Sequence, residues 1–158
     1  MRLEPISEKF AKDTWEARNK CPWFFMPSDA PVPATLKSEE DYYRVMANAG
    51  NCAMYAIVED GMMIGSVKLR KNGELSFYIL RPEYEGRGLA KQAIEKVLDT
   101  AFSISFNTYD MVFAWVNTND AASYCLLAKL GFKAVGASLI HPNVHRLEIT
   151  RSQWKTKK

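Results

Sequence analysis

Between Ala53 and Leu80, three short apolar runs, AMYAIV, MMIGSVKL and ELSFYIL, are separated by the dipeptides Asp60-Gly61 and Asn72-Gly73. Asp-Gly and Asn-Gly pairs suit two-residue hairpin turns, whose central residues need positive φ. This part of the chain is thereby confined to three antiparallel strands. Directly after them, YEGRGLAKQA (Tyr84 to Ala93) packs two glycines into a turn and enters a run with Ala90, Ala93, Ile94, Val97, Leu98, Ala101 and Phe102 at helical spacing. A glycine loop therefore joins the last strand of the meander to a helix.

The flanking segments complete the pattern. Arg2 to Ile6 alternates as a short strand, and Ser7 is placed to cap a helix carrying Phe10, Ala11, Thr14 and Trp15. CPWFFMPSDAPVPATLK, rich in proline and aromatics, predicts an ordered loop. Ser38 with Asp41 three residues on has capping-box spacing, and Tyr42, Val45, Met46 and Ala49 give a second helix its apolar face. After the central helix, MVFAWV predicts a buried strand, and Ala122, Cys125, Leu126 and Leu130 predict a helix closed at Gly131. Phe132 to Val135 and Val144 to Thr150 supply two closing strands. The order β-α-α-β-β-β-α-β-α-β-β predicts an α/β (α+β) fold. It has a mixed, mostly antiparallel sheet of about seven strands flanked by about four helices.

A chain of 158 residues, 47% hydrophobic and 25% charged, fits one soluble domain over 1–158. It has no apolar run near the ~20 residues that span a bilayer, and MRLEPISEKF lacks the features of a signal peptide. A cytoplasmic location without a membrane partner is expected. Cys21, Cys52 and Cys125 show no CxxC spacing and read as reduced thiols, with Cys125 packed on the apolar face of its helix. The net charge of +3 is scattered apart from KTKK, so no nucleic-acid partner is expected and residues from about 151 to 158 read as a basic, solvated tail. His141 and His145 stand too far apart for a clear metal pair, and no metal is expected.

Gly86 and Gly88 have two readings. A helix that begins after a strand presents unpaired N–H groups, and glycines let an anion approach them; equally, a tight turn needs positive φ. The Lys-Ser/Thr of a P-loop and the third glycine of the dinucleotide fingerprint are both missing.

Three segments together decide between them. LSFYILRPEYEGRGLAKQAIEKVLDTAF, AWVNTNDAASYCLLAKLGF and the earlier YAIVEDGMMIGSVKL resemble the GNAT superfamily of acetyl-CoA-dependent N-acetyltransferases. The endings G-x-G-x-A and S-x-x-x-L-x-K-L-G-F are similar to the branch that acetylates the N-terminal alanine of ribosomal proteins. The resemblance implies that the backbone N–H groups of Gly86, Arg87, Gly88, Leu89, Ala90 and Lys91 cradle the coenzyme A pyrophosphate, with Arg87 and Lys91 adding positive charge. It implies that the backbone of Tyr78 and Leu80 pairs with the pantetheine arm and thioester. Asp120 falls at the position of the family's asparagine, and Glu85 at one usually held by Gln or Arg. Leu127 stands where many members carry a tyrosine acid, so Ser123, with Tyr124 as its rival, becomes the candidate donor to the leaving thiolate.

Acetyl transfer needs a neutral amine, although a terminal amine has a pKa of about 8 and lysine about 10.4, so a base or a water chain must take a proton. Glu74 is the candidate base, although a glutamate beside a hairpin turn such as Asn72-Gly73 is more often just solvated. No cysteine is placed by motif to carry an acyl group, so direct transfer in a ternary complex is expected. Trp23, Phe24 and Phe25 are either part of the acceptor site or a plug over the core. The expected activity is acetyl transfer from acetyl-CoA to a primary amine, on a protein N-terminus or a small molecule, by a monomer or homodimer. The alternative is a noncatalytic GNAT-like module that binds acyl-CoA or a protein.

Overall fold

The computed structural model describes residues 1–20, 35–103 and 109–157. Its elements run β1 (Arg2–Pro5), α1 (Ala11–Lys20), α2 (Leu36–Ala47), β2 (Cys52–Glu59), β3 (Met62–Arg70), β4 (Leu75–Ile79), α3 (Leu89–Ala101), β5 (Met111–Asn117), α4 (Ala121–Lys129), β6 (Lys133–Ala137), β7 (Val144–Thr150) and α5 (Arg151–Lys157). The order read from the sequence holds, with α5 added. The strands form two sheets, ordered β1-β2-β3-β4 and β5-β7-β6. β2 runs antiparallel to β1 and β3, and β7 antiparallel to β5 and β6. A parallel contact is made by the bridge Glu74–Phe113. Contacts divide the chain into two compact units, Met1–Lys71 with Phe77–Ala93 and Asn72–Ser76 with Ile94–Lys158.

The first unit has a core that includes Phe10, Ala11, Tyr43, Met54, Ala56, Met63 and Leu80. Gly65 fits a tight approach of β3 to β4, since a Cβ there would lie 2.3 Å from the Tyr78 carbonyl oxygen. The helix starts differ from expectation. Ser7 makes no side-chain cap; a 3-10 turn at Glu8–Phe10 leads into α1 instead. The capping box of α2 is Thr35 with Ser38, one turn before the predicted pair. Asp41 is instead bonded to Arg44 at 2.8 Å.

The second unit buries Val112, Ala114, Leu127, Leu130, Leu147 and Ile149, while Trp115 on β5 stays 43% exposed. α4 closes with a Schellman motif: Gly131, at φ +103, donates to Ala128 O at 3.0 Å and Phe132 to Leu127 O at 3.0 Å. Cys125 is exposed rather than packed, because Leu127 and Leu130 carry the buried face of this nine-residue helix. The basic end is not simply a solvated tail. Trp154 of α5 is 3% exposed and its indole N–H donates to Asp99 Oδ1 at 2.9 Å, the partner a buried indole needs.

Candidate functional site

β4 leads through the turn Pro82–Tyr84 into the glycine loop, all within the first unit from Phe77 onward. Tyr84 anchors the turn: it is buried, and its hydroxyl donates to Asp60 Oδ2 at 2.8 Å, which holds the phenol above its ordinary pKa. Arg87 lies over the Tyr84 ring, 4.7 Å from its centroid, so its guanidinium is held beside the loop by a cation–π contact.

Gly86 and Gly88 both have φ +75, and a Cβ at either would meet nothing within 4 Å. Glycine is needed here for conformation, and the space over the loop is open. The N–H of Gln92 bonds Gly88 O at 3.1 Å, so the N–H groups of Gly88, Leu89 and Ala90 precede the helical ladder. The first turn of α3 carries no acidic residue, and the exposed Glu85 precedes it, its N–H closing the turn onto Pro82 O at 3.1 Å. Open N–H groups, the positive end of a thirteen-residue helix and a nearby arginine suit a pyrophosphate. Leu80 is less available than the resemblance implies, since its N–H already bonds Ile64 O at 2.7 Å and its side chain is fully buried. The Tyr78 carbonyl is the one that faces Gly65.

The second unit assembles a different group around the start of α4. Asp120 is its N-cap, accepting from Ser123 N–H at 3.1 Å. This explains why a residue that only accepts hydrogen bonds stands there. Ser123 and Tyr124 are half-buried. The Tyr124 hydroxyl lies 3.3 Å from His145 Nδ1 of β7, with the rings edge-on at 6.0 Å. His145 thus orients Tyr124 rather than pairing with His141. Leu127 is fully buried and offers no substitute for a tyrosine acid. Glu74 precedes β4; its N–H bonds Asn72 Oδ1 at 3.0 Å and closes the turn. Trp23, Phe24 and Phe25, with Cys21, lie outside the described residues.

A group of polar side chains inside the first unit escaped the sequence reading. Thr14 and Ser66 are fully buried and Glu39 is 1% exposed; they are the buried polar residues among the described ones. Thr14 Oγ1 donates to Glu39 Oε1 at 2.8 Å, with Ala11 O a second acceptor at 3.1 Å, and Arg18 Nε reaches Glu39 Oε1 at 3.3 Å. Burial raises the pKa of both Tyr43 and Tyr78, and Ser66 and Tyr43 lie close enough to pull Tyr78 back toward ionisation. Even so, Glu39 Oε2, the Tyr43 hydroxyl and Ser66 Oγ close no hydrogen bond of good geometry. The available signal was the pairing of Thr14 with Arg18 and of Glu39 with Tyr43 at i, i+4 on two adjacent predicted helices.

Among the described residues no group of three or more His, Cys, Asp or Glu could hold a metal ion, and no helix is long and apolar enough to cross a membrane. No curated protein matches the chain. A point mutant of spermidine N-acetyltransferase from Vibrio cholerae has a similar structure, at 18% identity and TM-score 0.76, with 99% of each chain covered. The same enzyme in complex with CoA and spermine gives 19% identity and TM-score 0.75 over 98% of this chain and 97% of that one. A domain from Methanocaldococcus jannaschii gives 15% and 0.71 over 94% and 97%. These likenesses establish the fold. Residues 1–133 match the model of the acetyltransferase (GNAT) domain. The chain therefore belongs to the GNAT acetyltransferase family, whose acetyl donor is acetyl-CoA.

Proposed function

We propose that the chain transfers the acetyl group of acetyl-CoA to a primary amine by direct attack. The observation that carries this reading is the Glu85–Gly88 loop, whose two glycines at φ +75 open backbone N–H groups to an anion at the start of α3. In this reading Gly86, Arg87, Gly88, Leu89, Ala90 and Lys91 hold the pyrophosphate, and the strand backbone at Tyr78 contacts the pantetheine arm. The amine nitrogen forms its bond to the acetyl carbon as the carbon–sulfur bond breaks. The departing thiolate has a pKa near that of cysteine, about 8.5, so it needs only a hydrogen-bond donor. Ser123 supplies that donor, with the His145-bound Tyr124 as the competing group; Asp120 acts through its cap on Ser123.

The acceptor is either a protein N-terminus or a small amine. The pattern S-x-x-x-L-x-K-L-G-F, ending at Phe132, favours the N-terminal alanine of a ribosomal protein. The structural likeness to spermidine N-acetyltransferases favours a polyamine. Release of free thiol from acetyl-CoA, measured with N-terminal peptides, polyamines, amino acids and aminoglycosides, decides the matter. One class is expected to be turned over well above the others. Coenzyme binding without thiol release for any acceptor would instead support the noncatalytic module.

A further inference from the structure

We propose that Asp60, in the turn between β2 and β3, is a positioning residue for the coenzyme: through the Tyr84 hydroxyl it holds Arg87 in place to receive the pyrophosphate. This rests on the reading of the glycine loop above and names what aims the arginine of that loop.

Asp60 and Gly61 both stand at positive φ, +53 and +77, as the central residues of the turn that the Glu59–Met62 pair closes. Aspartate tolerates this conformation because its side chain is short and polar, and asparagine and glycine suit such a turn as well. The turn therefore does not require a negative charge. What the carboxylate adds is a contact outside the hairpin, since its Oδ2 accepts from the Tyr84 hydroxyl at 2.8 Å. The neighbouring Glu59 is engaged instead by the Met1 ammonium at 3.0 Å.

Tyr84 carries the effect of Asp60 to the loop. It is 6% exposed, so its ring has a fixed place, and its N–H bonds Arg81 O at 3.0 Å. The carboxylate beside it keeps the phenol protonated, so the hydroxyl goes on donating to Asp60 at neutral pH. A phenol that donates to a carboxylate gains electron density on its oxygen and ring, and a more negative ring face attracts a cation more strongly. Arg87 Cζ lies over that face, 4.7 Å from the centroid. Asp60, Tyr84 and Arg87 all belong to the first unit.

The shape of the guanidinium gives the consequence for the ligand. With its face on the ring, its edge N–H groups are left for phosphate oxygens. Arg87 is exposed; without the ring it would sample many rotamers, a freedom that phosphate binding would have to remove. Gly86 and Gly88 flank it without side chains, beneath open space. A carboxylate thereby assists the binding of an anion, the reverse of what its charge alone would do near a pyrophosphate.

The test is calorimetric titration of acetyl-CoA into the wild type, Asp60→Gly, Asp60→Asn, Tyr84→Phe, Arg87→Gln and the double variant Asp60→Gly with Arg87→Gln. Glycine and asparagine both keep the turn, and urea unfolding should show the Asp60 variants folded. Affinity is expected to fall about threefold in Asp60→Gly and Tyr84→Phe, the scale of an exposed cation–π contact, and about twofold in Asp60→Asn, which keeps an acceptor but no charge. Arg87→Gln should lose about tenfold, the contact with phosphate itself. The double variant should lose no more than Arg87→Gln alone, because Asp60 acts only through the arginine. If Tyr84→Phe does not fold, the Asp60 and Arg87 variants carry the test. Unchanged or tighter binding by Asp60→Gly, or a loss that persists in full beside Arg87→Gln, overturns the inference while leaving the loop as the pyrophosphate site. No binding by the wild type overturns both.

Discussion

The two compact units present their chemistry in different ways. The first exposes backbone: Gly86 and Gly88 at φ +75, with open space above them, offer main-chain N–H groups. The second presents side chains, Ser123 and Tyr124, positioned by Asp120 and His145 around the start of α4. A backbone site depends on conformations that few residues other than glycine tolerate, so substitutions there should cause large, all-or-none losses. A side-chain site sits on an ordinary helix and should lose function in smaller steps, with folding and coenzyme binding kept.

Five substitutions can break or sharpen that contrast. The largest effect is expected of Gly65→Ala, whose Cβ would lie 2.3 Å from a backbone oxygen that cannot move aside. A loss of about 3 kcal/mol in unfolding free energy is predicted, read by urea titration. Gly88→Glu combines a left-handed backbone with a carboxylate facing phosphate. Acetyl-CoA affinity should fall about 100-fold, ~2.7 kcal/mol, in calorimetry. Ser123→Ala should lower kcat about 10-fold with acetyl-CoA affinity unchanged, since a thiolate needs little help to leave. Should Tyr124→Phe give the larger loss, the donor role passes to Tyr124 and its bond to His145 gains importance. Asp120→Ala should do least, removing a helix cap worth about 1 kcal/mol in thermal or urea unfolding, with turnover falling only as far as Ser123 shifts.

Legibility in the sequence follows the same division. The Asp-Gly and Asn-Gly turns fixed the β2–β3–β4 meander, and the 3.6-residue spacing from Ala90 to Phe102 gave α3, whose apolar positions from Ala93 onward are all at most 5% exposed. These are local signals with a strict period. The cap of α2 was misplaced because Ser38 with Asp41 mimics the spacing that Thr35 and Ser38 satisfy. α5 went unread because seven residues ending in lysines show little beyond charge, although one buried tryptophan ties them to Asp99. Asp120 read by resemblance as standing at the family's asparagine position, and its role as the cap of α4, accepting from Ser123 N–H, had no sequence signal beyond its residue type. Glu39 went unnoticed among acidic neighbours, since what distinguishes it is burial against Thr14 and Arg18, more than twenty residues away in the chain. Long-range polar contacts of that kind leave no period to read.

The central claim is that the loop from Glu85 to Gly88 holds the pyrophosphate of acetyl-CoA. Calorimetric titration of acetyl-CoA into the purified chain, beside its 3′-dephospho form and free pantetheine, tests it directly. Saturable 1:1 binding that survives loss of the 3′-phosphate and disappears when the pyrophosphate is absent is the predicted result. Binding of pantetheine as tight as that of acetyl-CoA, or no heat with any of the three, would contradict it.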